Sequence, residues 1–255
     1  MAPVFTGVGV ALVTLFETRG ALDTLSTADL AVRLVDRGVR SVVVAGTTGE
    51  ASTLSTTERS RLTRAVREAL PAEVPVITGT GSITGELAAD LTARAFDDGA
   101  DAVLVLSPPR VDDPRPYYDV VAKASGGRPV LAYHFPWASA PGIDVELLAD
   151  LPVAGLKDSS GDAELLLREL AATDGDVFVG AAPLLTMAGS VGATGAILTL
   201  ANAEPERCIA AFEGDGEAQR ALLPAHLGSV RGFPAGIKQL TAERWGVSPT
   251  ARVGG

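Results

Sequence analysis

The sequence is poor in the residues that build metal and redox centres. Among 255 residues there is one cysteine, Cys208, and there are two histidines, His134 and His226. A disulfide framework is excluded, and cysteine- or histidine-rich metal sites are not expected. Positive charge is in the minority: 21 lysines and arginines face 31 aspartates and glutamates, for a net charge of −10. That balance argues against a nucleic-acid surface. No run of about 18 apolar residues is present, so no membrane span is expected. The first residues lack the basic-then-apolar pattern of a secretion signal, and a cytoplasmic location is the expectation. No Gly-x-Gly-x-x-Gly follows the first apolar run, where Val13-Thr14-Leu15-Phe16-Glu17 stands. This weakens a dinucleotide-binding reading. Lysine is scarce as well: only Lys123, Lys157 and Lys238 among the 21 basic residues.

What the chain does have is apolar content, 47% of it, which is ample for a core. Short apolar runs of β type recur at Val8–Leu15, Ser41–Ala45, Val74–Gly79, Ala102–Leu106, Pro129–Tyr133, Val153–Lys157, Val177–Gly180 and Gly195–Leu200. Helical periodicity fills most gaps, as in Leu30/Leu34, Leu62/Val66/Leu70 and Leu87/Leu91/Ala95. Ser55-Thr56-Thr57-Glu58 is a capping-box pattern and Ser26 to Asp29 a weaker one. Gly38 and Gly99 sit where helices should stop. Strands alternating with helices imply parallel βαβ units. Eight of them predict an α/β fold, a (β/α)8 TIM barrel over residues 1–213, with an open doubly wound sheet as the alternative. The rhythm stops after Leu200. Glu204–Phe212 can supply the eighth helix of the barrel, while Glu217–Arg231 and Ala235–Trp245 predict a small helical appendage over residues 214–255.

In such a barrel the active site lies at the C-terminal ends of the strands. The sixth run, Val153-Ala154-Gly155-Leu156-Lys157-Asp158, ends on a lysine where the strand should still be buried. Lysine is seldom buried unpaired. Burial favours the neutral amine, which is a nucleophile and can condense with a ketone, as arginine cannot. The plain alternative is a side chain that snorkels to solvent. At the second strand end, Gly46-Thr47-Thr48-Gly49-Glu50 offers hydroxyls and freely oriented N–H groups that can hold a small carboxylate; it also reads as an ordinary βα turn. Tyr133, at the fifth strand end, is either a proton carrier or a half-buried phenol with a backbone partner. His134 should face the other way and be packed.

Taken together, Gly-Thr-Thr-Gly-Glu at 46–50, Tyr-x-x-Pro at 133–136 and Gly-Leu-Lys-Asp at 155–158 resemble the dihydrodipicolinate synthase / N-acetylneuraminate lyase family of class I aldolases. The likeness runs from Phe5-Thr6-Gly7 through Leu54 and Glu58 to Gly192-Ala193-Thr194-Gly195, Ala201-Asn202 and Pro234–Trp245. The stretches Gly155–Asp162 and Gly192–Asn202 look most like the 4-hydroxy-2-oxoglutarate aldolase branch. The resemblance implies an enzyme that needs no metal or organic cofactor and assembles as a homo-oligomer, dimer or tetramer. It implies that Lys157 forms a Schiff base with pyruvate or another 2-oxo acid, that Tyr133 shuttles protons, that Thr47 and Thr48 hold the carboxylate, and that Gly180 and Ile197 flank the lysine. The partner substrate would be an aldehyde.

The departures fall on the acceptor side. Ser107-Pro108-Pro109-Arg110 stands where the family usually carries a tyrosine pair, and Trp137-Ala138 where the synthase has a carboxylate-gripping arginine. A pocket with Phe135, Trp137 and Ala138 there is expected to be less polar and to take a less charged or bulkier aldehyde, with Arg110 as an anion contact. Two other readings stay open: a true dihydrodipicolinate synthase that recruits another cation, and a catalytically impaired binding or regulatory homologue.

Overall fold

The computed structural model describes residues 2–253. Eight parallel strands pair in chain order and close on themselves: β1 (Gly7–Ala11), β2 (Val42–Val44), β3 (Val76–Gly79), β4 (Ala102–Leu106), β5 (Val130–His134), β6 (Gly155–Asp158), β7 (Asp176–Val179) and β8 (Gly195–Leu198), with β8 returning to β1. The closed ring settles the choice between barrel and open sheet. Helices α1 (Thr24–Val35), α2 (Thr56–Ala69), α3 (Gly85–Asp97), α4 (Arg115–Ser125), α5 (Ala163–Ala172), α6 (Leu185–Ser190) and α7 (Pro205–Phe212) surround it. Between β5 and β6 only a 3-10 segment, Val145–Asp150, takes the place of a helix.

Side chains alternate across each strand, so the ring sorts its residues into two layers. Ala11, Val43, Ile77, Ala102, Leu104, Leu131, Tyr133, Phe178 and Ile197 fill the interior, with Phe5 stacked on Phe178 at 4.6 Å. Their neighbours face outward against the helices, among them Val103, Val105, Val130 and Ala132 with Tyr118 and Val121 of α4. Register then decides what meets at the rim. Tyr133 pairs with Lys157, and Lys157 with Phe178. His134 pairs with Asp158, and both belong to the outer layer.

Local signals hold with some corrections. Ser55 and Glu58 form both halves of a capping box at α2. The start of α1 is capped by Asp23, whose carboxylate accepts from Ser26 N–H, rather than by Ser26. Gly38 and Gly99 end their helices with φ of 94° and 95°. The first apolar run was expected as strand to Leu15, yet β1 ends at Ala11. Beyond it side chains replace strand neighbours: Val13 N–H donates to Asn202 Oδ1 at 3.0 Å and Leu15 N–H to Thr27 Oγ1 at 3.0 Å. The single helix expected over Glu217–Arg231 is two, α8 (Gly216–Ala221) and α9 (Leu223–Val230). Pro224 lacks the N–H a continuous helix would need and suits a new first turn instead. With α10 (Ala235–Trp245) they complete the α-helices among the described residues.

The chain's end returns to the rim. Lys238 of α10 pairs with Glu50 of the β2 loop, both side chains fully buried, and its ammonium also donates to Thr250 O at 2.8 Å. The N–H groups of Arg252 and Val253 donate to the other Glu50 oxygen at 2.7 and 2.8 Å. No helix among the described residues is long and apolar enough to cross a membrane.

Candidate active site

At the C-terminal rim of the ring lies a cavity of about 420 Å³. Lys157, Tyr133, Thr47, Thr48 and Gly180 all line it. Lys157 enters on the inward face of β6 and is 4% exposed. Its Nζ stands 4.3 Å from the centroid of the Tyr133 ring. The solvated-lysine alternative is therefore not what the fold builds. The contrast with the other buried lysine is sharp: Lys238 has a carboxylate partner, while Lys157 has no ion pair among the described residues. Asp158, next along the strand, turns outward and accepts from Ser160 N–H at 2.7 Å and Ser160 Oγ at 2.9 Å.

The β2 loop presents Thr47 and Thr48. Thr48 Oγ1 lies 2.7 Å from Thr199 Oγ1, just past β8, and either hydroxyl can donate. Thr14 braces the turn from below by donating to Gly49 O at 2.7 Å. Ala45 and Glu50 both take positive φ, 51° and 56°, which costs non-glycine residues about 1 kcal/mol or more each. That backbone is held by the bonds to Glu50 described above. Gly180 is required for a different reason. A Cβ there would collide first with Ser159 Oγ and come within 2.9 Å of Lys157 Cε, so any side chain would push on the serine and on the amine's stem.

His134 is packed, as expected: its Nδ1 accepts from Ile143 N–H at 2.9 Å, and burial lowers its proton affinity. Ile197 is fully buried among Tyr133 and Phe178 inside the ring; Leu198 and Thr199 carry that strand end to the cavity. Arg110 is exposed with φ of 60°, its N–H bonded to Ala140 O at 2.7 Å. It does not line the cavity, so the anion contact read from sequence has no support in its placement. Tyr117 and Tyr118 are not stand-ins for the missing rim tyrosine. The first donates to Ser82 O at 3.0 Å and the second to Val105 O at 2.9 Å.

Several wall residues carried no signal in the sequence. Ser229 and Val230 come from α9 and Phe233 from the loop after it. His226, also on α9, lines the same cavity half-buried, and desolvation lowers its proton affinity. Their presence depends on how the appendage folds back over the rim. Thr199 could be located as a strand-end residue, but its hydroxyl partner could not. No cluster of three or more His, Cys, Asp or Glu that could hold a metal occurs among the described residues.

The arrangement is a buried amine with no carboxylate partner, a phenol beside it and a hydroxyl-lined turn facing them. Residues 4–227 match the model of the dihydrodipicolinate synthetase family. A 4-hydroxy-tetrahydrodipicolinate synthase of Hyphomonas neptunium is 38% identical over 234 residues, covering 86% of this chain and 79% of that one. The corresponding Bacillus subtilis protein is 35% identical over 184 residues, 69% of this chain and 63% of its own length, just under two thirds. A solved monomeric dihydrodipicolinate synthase variant superposes with a TM-score of 0.90 at 26% identity, covering 98% of this chain and 91% of that one. This chain belongs to the dihydrodipicolinate synthetase family.

Proposed function

We propose that this family member is a class I aldolase, joining pyruvate or a related 2-oxo acid to an aldehyde through a Schiff base on Lys157, or running the same step backward. The observation that carries the reading is the amine itself: buried, unpaired and 4.3 Å from the Tyr133 ring inside a closed barrel mouth. The amine of Lys157 attacks the 2-oxo carbon. Tyr133 passes the protons that turn the carbinol oxygen into a leaving water. Thr47 and Thr48 hold the carboxylate, with Thr199 orienting the Thr48 hydroxyl. The protonated imine is a better electron sink than a ketone, so it stabilises the enamine through which the C–C bond forms or breaks. No step of this sequence draws on a metal or organic cofactor.

The relatives' names favour one second reading, that the aldehyde is the one used by a 4-hydroxy-tetrahydrodipicolinate synthase. Against it, Lys157 is the sole lysine or arginine on the cavity wall among the described residues. The test is direct. Incubation with pyruvate and borohydride should add a reduced pyruvyl group to Lys157, detected by intact mass and peptide mapping, and Lys157→Ala should abolish it. An unmodified protein at saturating pyruvate would sink the aldolase reading. Preference for aspartate semialdehyde above other acceptors would favour the second.

The barrel assigned to residues 1–213 then carries the chemistry, and the appendage of 214–255 covers it. Leu223, Leu227 and Val230 share one side of α9 and are each about half exposed. That apolar stripe supports self-association into a dimer or tetramer, which light scattering would measure. The single cysteine, buried at position 208, suits the cytoplasm.

A further inference from the structure

The cavity has two chemically different ends. Around Lys157 the wall carries hydroxyls, those of Thr47, Thr48 and Tyr133. Toward the mouth it carries rings. From Lys157 Nζ the aromatic faces step outward: Tyr133 at 4.3 Å, then Phe135 5.7 Å from Tyr133 with planes 11° apart, then Trp137 5.8 Å from Phe135 with planes 33° apart. Trp137 is 78% exposed, an unusual place for an indole with no partner beyond Phe135 to cover it. Phe233 joins the wall from the appendage side. No aspartate or glutamate lines the cavity among the described residues, and no lysine or arginine besides Lys157 does. A three-carbon acid on Lys157 occupies only part of 420 Å³; the remaining wall carries Phe135, Trp137 and Phe233 beside Ser159, Ser160, Ser229 and the half-buried His226.

We propose that the acceptor half of this site takes an uncharged aromatic aldehyde, its ring stacked against Phe135 and Trp137. The inference rests on the pyruvate-imine reading above. A second carboxylate would find no lysine or arginine besides the one already bound as the imine and would lose its hydration, which is costly. A planar ring instead gains offset or edge stacking on these tilted faces in addition to burial, which a saturated ring of equal size does not. In the step itself, the enamine carbon derived from the pyruvate methyl attacks the aldehyde carbon. The enamine electron pair becomes the new C–C bond, the aldehyde oxygen takes a proton, and the C=N bond re-forms. Water then hydrolyses the imine, freeing Lys157 and a 4-aryl-4-hydroxy-2-oxo acid. The water lost on imine formation is returned, and no oxidant or reductant enters.

The test uses the full chain. Borohydride trapping of pyruvate on Lys157 comes first. Benzaldehyde, cyclohexanecarboxaldehyde and glyoxylate are then compared as acceptors. The expected result is a trapped imine and a KM for benzaldehyde about ten-fold below those of the other two. Trp137→Ala should shrink the benzaldehyde-to-cyclohexanecarboxaldehyde ratio of kcat/KM by about three- to ten-fold, and Trp137→Phe should restore most of it. A trapped imine with the saturated or carboxylated aldehyde bound as well as benzaldehyde overturns the aromatic acceptor and leaves the aldolase reading standing. So does a ratio that Trp137→Ala does not move. No trapped imine overturns both.

Discussion

Single atoms decide whether this cavity can do chemistry. Lys157→Arg keeps a long basic side chain of similar volume but cannot form an imine. It should lower kcat by at least about a thousand-fold while the protein stays folded, checked by turnover beside circular dichroism. The hydroxyl pair at 2.7 Å between Thr48 and Thr199 supports a finer test. Thr199→Val removes one partner of nearly the same shape and leaves the Thr48 hydroxyl free to turn. The KM for pyruvate should rise about three- to ten-fold with little change in Tm, in line with the loss of one hydrogen bond of about 1 kcal/mol. A rise in the aldehyde KM alone would place this pair on the wrong substrate. Lys157 could be suspected from sequence, because a lysine ending an apolar run conflicts with the burial of the run. The pairing of Thr199 with Thr48 could not, because the two lie 151 positions apart.

At the level of elements, strands and helices are held by how tightly they approach. The ends of β6 and β7 come so close at Gly180 that Gly180→Ala should displace Ser159 and the Lys157 stem. The rate of borohydride trapping should fall by about ten-fold or more, a loss of the positioning that aligns reacting atoms. Helix α5 carries a different kind of strain. Glu169 is 2% exposed and its Oε2 has no hydrogen-bond partner among the described residues. Burial first, then the nearby charges of Asp158 and Asp162, push its carboxyl up from 4.5 to about 9. Between those values the folded chain holds a proton that the unfolded chain has released. Stability is therefore full below about pH 4.5 and falls as pH rises toward 9, by on the order of 3 kcal/mol at pH 7. Glu169→Gln should raise Tm at pH 8 clearly more than at pH 5, and an equal gain at both would refute the buried proton. The periodicity of α5 was visible in its leucines; that one of its polar residues faces inward was not. The apolar run through Leu15 looked like strand throughout, because periodicity cannot tell a strand from a loop whose amides are satisfied by side chains.

The molecule as a whole is tied together by its last described residues. The buried Glu50–Lys238 pair, with two tail amides on the same carboxylate, joins the threonine turn to α10 and the chain end. Arg252 adds bonds to Glu58 Oε1 at 2.6 Å and Gly20 O at 2.8 Å. Lys238→Met should strand the Glu50 carboxylate and cost about 3–5 kcal/mol, seen as a lower urea midpoint. It should also raise the pyruvate KM, because Thr47 and Thr48 share that turn. Lost stability with an unaltered KM would show that the turn holds its shape without the tail. The alternation of strand and helix, the exposed-to-buried patterning of each element and the three short motifs are properties of neighbouring residues and can be read along the chain alone. The closed ring, the cap that brings α9 and Phe233 over the rim, the exclusion of Arg110 from the cavity and the Glu50 anchor were decided only by the tertiary structure. Each joins groups far apart in the chain, 202 positions for Glu50 and Arg252, and no local periodicity or propensity records which distant partner will satisfy a buried charge.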